Sequence, residues 1–253
     1  MLFSPLVLSL LIAALLSQIA VFSTTIYLHR AAAHKALSLH PAVALVFRAC
    51  LWMTTGICTR EWVAVHRKHH AFTDRTGDPH SPQLEGFWPI ELGNVFYYAR
   101  EAKRRDVIAR YASDMPEDKW ERLLFRRGYF GPLLGTTALA LLIGPGWALL
   151  AAALHGVGYV FVLSPAINGL CHYRGYKNFD NTAFNIRLVA LLTAGEGLHN
   201  NHHGAPRSPK FSLRPSEIDL AWPVIRFLSA IRLATPNKTI EHTRQGSQPV
   251  QAW

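Results

Sequence analysis

The chain divides into long apolar stretches without charge and polar stretches that carry nearly all of it. Residues 1–28 contain no Lys, Arg, Asp or Glu. At about 1.5 Å per helical residue this run can cross the hydrocarbon core of a bilayer with tilt, so a span is predicted over 5–28. A cleaved signal peptide would place basic residues ahead of a shorter apolar core. Here none precedes the run, which ends directly in Tyr27-Leu28-His29. Residues 128–171 again lack the four charged types, and Gly144-Pro145-Gly146 interrupts them. Glycine and proline break a helix, so a hairpin of two spans is predicted, 129–143 and 147–171. A further apolar stretch, 41–58, contains Arg48, and a shorter one, 183–194, leads into the last histidine cluster. The polar region from Arg60 to Arg127 includes two portions, 100–110 and 114–127, that read as charged amphipathic helices. Residues 1–235 read as one domain and 236–253 as a polar tail.

Composition sharpens this picture. Half of the 253 residues are hydrophobic (50%), yet 17% are charged, and the two populations are segregated. That is the pattern of a membrane protein with sizeable aqueous segments. The net charge of +10 is concentrated, with half of the 26 Lys and Arg lying between Arg60 and Arg127. No nucleic-acid motif accompanies them, and a nucleic-acid partner is not expected. The positive-inside rule accounts for the excess and marks that face as cytoplasmic. Cys50, Cys58 and Cys171 are odd in number and sit in apolar surroundings, which excludes a disulfide framework.

The thirteen histidines carry the chemistry. Nine fall into four groups: His29 and His34; His66, His69 and His70; His199, His202 and His203; and His172, four residues after Asn168. Residues at i, i+3 and i+4 share a helical face, so each triplet aims its imidazoles one way. A spacing of five rotates by about 140° on an ideal helix. His29 and His34 therefore form a pair only where a helix ends or unwinds. His40, His80, His155 and His242 read as ordinary surface or hydrogen-bonded core residues. The absence of Cys-x-x-Cys and His-Glu-x-x-His argues against thiolate zinc, iron–sulfur and zinc-protease sites. Nine imidazoles exceed the needs of one tetrahedral ion and suit two, with iron and copper both open at this point.

A shared site requires all four groups on one side of the bilayer. The first span delivers His29 there and the hairpin returns the chain at His172. The 41–58 stretch must then lie in the membrane plane or re-enter. The expected fold is all-α and integral to the membrane, with about three spans and a cytoplasmic helical cap. Asp74, Asp78 and Glu196 are candidates to accept hydrogen bonds from ligand imidazoles; turn or helix capping is the alternative for Asp78 and Glu196. Arg60, Arg67, Lys68 and Arg75 read either as an anionic-headgroup or donor-protein contact or as solvated charge. Trp52, Trp62 and Trp88 read as interfacial anchors or core.

The ordered set resembles the membrane-bound fatty acid desaturase family, in its acyl-CoA and acyl-lipid Δ9-type branch. The matching pieces are His29-x₄-His34, His66-x₂-His69-His70 with Asp78-Pro79-His80, and Gly195-Glu196-Gly197-Leu198-His199-Asn200-Asn201-His202-His203. Together with Asn168 and His172 they cover about Tyr27 to Pro206. The resemblance implies two iron ions held by the nine histidines, with Asn168 contacting one of them through water. It implies O₂ as co-substrate, a saturated acyl chain (acyl-CoA or phospholipid) in a membrane-side tunnel, and a cis double bond as product, at Δ9. It also implies a separate ferredoxin- or cytochrome-type electron donor, and with it a bacterial inner-membrane location. Two other readings are a di-iron hydroxylase acting on an alkane, sterol or carotenoid, and a metal transport or sensor protein. A transporter would place its ligands near the bilayer midplane; here they sit at span ends and in polar segments.

Overall fold

The computed structural model describes residues 4–115 and 117–239; His242 and most of the expected tail lie outside them. Helix α1 (Pro5–Ser23) starts with Ser4 capping the amide of Val7 and Pro5 at the first helical position. It winds on into a π-helical stretch, Thr24–Ala33. Strand β1 (Leu37–Leu39) follows, then α2 (Pro41–Thr55), α3 (Thr59–Phe72), α4 (Pro82–Glu85), α5 (Phe87–Ala102) and α6 (Arg105–Tyr111). The second half contains α7 (Phe130–Ile143), α8 (Pro145–Gly158), α9 (Ser164–Asn168), α10 (Arg187–Leu192), α11 (His199–Gly204), α12 (Ala221–Ala230) and β2 (Ala234–Pro236).

Four helices close an apolar ring: α1 packs on α2 and α8, and α7 packs on α2 and α8. Their outward faces carry Leu15, Leu133, Leu149, Leu141 and Leu142, the last two 84% and 80% exposed. Such a belt suits hydrocarbon, not water. Polar groups inside the ring are paired, as a membrane interior demands. His155 bridges Ser17 (3.0 Å) and the carbonyl of Thr54 (2.9 Å), in keeping with its reading as a core histidine. The α2–α7 crossing is so close that a Cβ on Gly131 would lie 2.1 Å from the Trp52 carbonyl oxygen.

Among the described residues two continuous helices, Pro5–Ala33 and Pro145–His172, are long and apolar enough to cross a membrane. The predicted hairpin forms, with Gly144 at a φ of 85° between its arms. Its first arm, α7, has only 14 residues, or about 21 Å, short of the ~30 Å hydrocarbon core. Helices α2 and α3 bend by 89° at their junction, the shape of a broken span or a re-entrant segment. Arg48, the charge inside the apolar 41–58 stretch, is paired with Asp118 (2.6 Å) and Glu121.

The polar region departs from its reading in detail. A helix starts earlier than expected, at Phe87, and breaks before Arg105; among the described residues of 114–127, helical winding is confined to 119–125. Arg104 turns the chain by bonding back to the Glu101 carbonyl, so local capping overrides the charge pattern. The fold also holds one two-stranded antiparallel ribbon, β1 with β2, pairing Leu37 with Pro236 and Leu39 with Ala234. Asn237 extends this anchorage by bonding to Ala36 and Lys35 carbonyls, past the predicted start of the tail.

Candidate metal centre

Each histidine box owes its geometry to a different local device. Between Thr24 and Ala33 the hydrogen bonds run from i+5 to i, and the amide of His34 reaches the carbonyl of His29 at 3.1 Å. This wider winding stacks residues five apart, which an α-helix cannot do. The second box occupies the last turns of α3 and the third occupies α11. Residues in left-handed backbone flank the boxes: Lys35 follows the first, Asp74 follows the second and Ala194 precedes the third. Non-glycine residues adopt that conformation at a cost, and such positions gather at functional sites.

The structure brings the nine histidines together in two groups. His29, His34, His66, His70 and His202 form one; His69, His172, His199 and His203 form the other. Within each group all ligand nitrogens lie within 4.8 Å of one another. Each triplet is divided between the groups. Residues four apart (His66 and His70, His199 and His203) join the same group, and the residue between them joins the other. Helices α3 and α11 thus serve both groups, rather than each aiming three rings at one point.

Ring nitrogens face each other without a workable hydrogen-bond scheme. His202 Nε2 lies 3.0 Å from His29 Nε2 and 2.9 Å from His70 Nε2, and His199 Nε2 lies 3.0 Å from His172 Nε2 and 3.2 Å from His203 Nε2. His69 Nε2 is buried with no protein partner. A ring nitrogen offers one proton or one lone pair, never bonds to two rings at once. Three carboxylates fix which face is which. Glu196 meets His29 Nδ1 at 2.6 Å, Asp78 meets His69 Nδ1 at 3.0 Å, and Asp74 meets His172 Nδ1 at 3.0 Å. With the proton held on Nδ1, the Nε2 lone pair points into the group. Imidazoles that converge with their carboxylate partners on the outer nitrogen fit metal ions.

The supports of these carboxylates are local. Asp78 accepts from the amides of Asp74 (2.8 Å) and His80 (3.1 Å), and Asp74 accepts from Ser81 Oγ at 2.6 Å. Burial raises the Asp78 pKa, but His69 beside it outweighs burial and holds the carboxyl well below the usual range. His80, read from sequence as an ordinary residue, is buried and stacks on His69 with centroids 4.6 Å apart. Burial, then repulsion from His69, pushes it down to about 3. Burial likewise holds His34, His199, His202 and His203 well below the ordinary histidine value of 6.5.

These groups stay neutral when folded and take up protons on unfolding below pH 6.5. Their contribution to stability is intact above that value and is lost as the pH falls towards about 3. The thermal midpoint of metal-free protein in detergent is therefore expected to stay level between about pH 8.5 and about pH 7.5 and to drop as the pH is lowered from there to about pH 5. An unchanged midpoint at the acid end would show that these rings are not buried neutral.

A narrow cleft of about 70 Å³ opens beside the histidines. Val21, Leu163, Ile167 and Tyr159 line its apolar side, and His29, His66, His199 and Asn168 its polar end. Tyr159 also borders a larger apolar chamber of about 520 Å³ inside the helical ring. The Asn168 side chain is held by Asn94, its amide nitrogen donating to Asn94 Oδ1 at 3.1 Å. The sequence model of the fatty acid desaturase family matches residues 4–226. The chain belongs to the fatty acid desaturase family.

Its similarity to characterised members of that family runs over most of the chain. It is 31% identical over 229 residues to the sn-1 stearoyl-lipid 9-desaturase of Synechocystis sp., covering 88% of this chain and 70% of the relative. To an acyl-CoA 5-desaturase of Anemone leveillei it is 32% identical over 222 residues, covering 86% and 68%. To the palmitoyl-monogalactosyldiacylglycerol delta-7 desaturase of Arabidopsis thaliana it is 32% identical over 216 residues, covering 85% and 57%.

Several supports of this desaturase-family site carry no mark in the sequence pattern. Asn200 and Asn201 inside the third box are internal staples. Asn200 Oδ1 accepts from the amides of Asn178 (2.6 Å) and Phe179 (2.8 Å), and Asn201 Nδ2 donates to Phe211 O and Glu217, each at 2.9 Å. Trp62 lies parallel to His66 at 4.6 Å, so it packs a site histidine and does not anchor an interface. Trp52 is core, and Trp88, 66% exposed, keeps its anchor reading. Arg67 grips the carbonyls of Ala32 and Ala33 at the end of the first box and pairs with Asp114, while Lys68 pairs with Glu101 and Arg60 with Glu117. These three charges are paired within the chain, Arg67 and Lys68 largely buried and Arg60 partly exposed. The Asn-Asn pair between the histidines is a sequence signal for the Asn200 and Asn201 staples alone.

Proposed function

We propose that this chain is an O₂-dependent fatty acyl desaturase that introduces a cis double bond, at Δ9, into a saturated acyl chain. The observation that carries the proposal is the sorting of nine histidines into two convergent groups beside an apolar cleft. His29, His34, His66, His70 and His202 would hold one iron, and His69, His172, His199 and His203 the other, with Asn168 contacting the second through water. The irons, when bound, supply the redox chemistry with O₂ that breaks unactivated C–H bonds. Overall, one CH₂–CH₂ unit, O₂, two electrons and two protons give an alkene and two waters.

The chain's own residues contribute position and exclusion. Glu196, Asp78 and Asp74 orient His29, His69 and His172 and fix their tautomers. Val21, Leu163, Ile167 and Tyr159 give an acyl chain an apolar path past the histidines, and the chamber beyond Tyr159 offers room for its methyl end. The apolar walls keep bulk water from the reacting carbons. The related enzymes act on both acyl-lipid and acyl-CoA substrates and at positions 9, 7 and 5, so the Δ9 assignment follows the Synechocystis relative. We assign electron supply to a separate ferredoxin- or cytochrome-type protein, and the site to the cytoplasmic face of a bacterial inner membrane, where the basic residues cluster.

The test is gas chromatography–mass spectrometry of membrane fatty acids from a desaturase-free host supplied with a donor system, with and without this chain. A new cis-monounsaturated acid is expected, with its double bond between carbons 9 and 10. A hydroxylated acid instead would replace desaturation by hydroxylation, and a double bond elsewhere would overturn only the regiochemistry.

A further inference from the structure

Arg30 follows the first histidine of the first box and is completely buried (0% exposed). A buried guanidinium is costly unless it is paired and fully hydrogen-bonded. The fold provides an ion-pair partner from far along the chain and bonds both Nη atoms, while Nε is buried with no hydrogen-bond partner among the described residues. Arg30 Nη2 donates to Asp219 Oδ1 at 2.9 Å, and Nη1 donates to Thr25 Oγ1 at 2.9 Å. The guanidinium lies 3.8 Å over the Phe211 ring, which packs in turn against His202 and His29 at 4.8 and 5.7 Å. Thr25 donates to one oxygen of Glu196, whose other oxygen holds His29 Nδ1. Asp219 is itself fixed by the amides of Phe211 (2.8 Å) and Trp222 (3.3 Å), at the start of α12.

The two histidine groups are therefore supported differently. The carboxylates behind His69 and His172 come from one loop and are held by amides and a hydroxyl. The single carboxylate behind the five-histidine group is held by a chain of side chains ending in a buried ion pair. We propose that Thr25, Arg30 and Asp219 form a positioning relay that fixes Glu196 on His29 and so sets the metal affinity of the five-histidine group alone. The space at the relay is reserved for it: a Cβ on Gly195 would lie 2.5 Å from Asp219 Oδ1 and 3.2 Å from Arg30 Nη2. The relay also makes the segment from Phe211 to α12, through Asp219, part of the first box's support.

This inference rests on the assignment of metal ions to the two groups, and the test separates the two claims. Metal-free full-length protein in detergent is titrated anaerobically with ⁵⁷Fe(II) and read by Mössbauer spectroscopy. His34→Ala and His203→Ala identify which ferrous signal belongs to which group. Thr25→Val is expected to lower affinity for the His34-dependent signal about tenfold and leave the His203-dependent one unchanged, and Asp219→Asn to lower the former by up to about a hundredfold. Thr25→Ser, which keeps the hydroxyl, is expected to bind as the parent does. Equal weakening of both signals in Thr25→Val, or no weakening of either, overturns the relay while leaving two bound irons intact. A parent chain that binds no iron overturns the metal assignment itself.

Discussion

His202→Ala is expected to abolish desaturation, by more than about a hundredfold, while the chain still inserts and extracts as a folded protein. Its Nε2 lies within 3.0 Å of both His29 and His70, and its ring packs on Phe211, so it stands at the centre of the group. The substitution removes one of five donors from one group and leaves the four-histidine group complete. Helix α11 should persist, because alanine favours a helix and Asn200 and Asn201 staple both sides of the turn. Two measurements check this together: product yield by gas chromatography–mass spectrometry, and iron per chain, expected to fall from two towards one. Activity at the parent level would show that the two groups are not a working centre.

Much of this site is legible in the histidine spacing alone. Helical i, i+4 pairs do end in common groups, and the charge-free stretches do become the two long apolar helices. What stays hidden has specific causes. The spacing of His29 and His34 looks unfavourable because π-winding leaves no compositional mark; only the i+5 hydrogen bonding reveals it. The division of each triplet between two groups depends on how α3 and α11 approach one another, which is set by packing over long sequence separations. Arg30 looks like one more basic residue, and its role appears only when Asp219, 189 positions on, arrives beside it. Arg67 and Lys68 similarly look like surface charge until their partners on α5 and beyond α6 are placed. Sequence pattern thus reports which residues can act. Which of them are buried, and against what, follows from tertiary contacts that periodicity does not encode.

The Gly195-Glu196-Gly197 run shows the same division. In the sequence it is a mark of family resemblance; in the structure each glycine has a steric reason. Gly195 adopts a φ of 113°, a conformation that side chains rarely take, and lies against the Arg30–Asp219 pair. Gly197 sits on α10, where a Cβ would fall 2.2 Å from the amide nitrogen of Ala190 and 2.6 Å from the carbonyl carbon of Val189. Both obstacles are backbone, so neither can rotate away, and the amide of Ile186 is bonded to the Gly197 carbonyl at 2.8 Å. Gly197→Ala is therefore expected to push α10 and the start of α11 apart and to displace His199, two residues on. A shift on the scale of 1 Å at a reacting centre costs on the order of a hundredfold in rate. Overpacking adds about 1–3 kcal/mol of destabilisation. The expected result is a chain that inserts, melts at lower temperature, and yields about one hundredth of the parent's product or less. Weakened iron binding in the signal that His203→Ala removes should accompany it, because His199 belongs to that group. Parent-like product yield with a lowered melting temperature would mean that the close α10 contact serves stability alone and that the third box tolerates displacement.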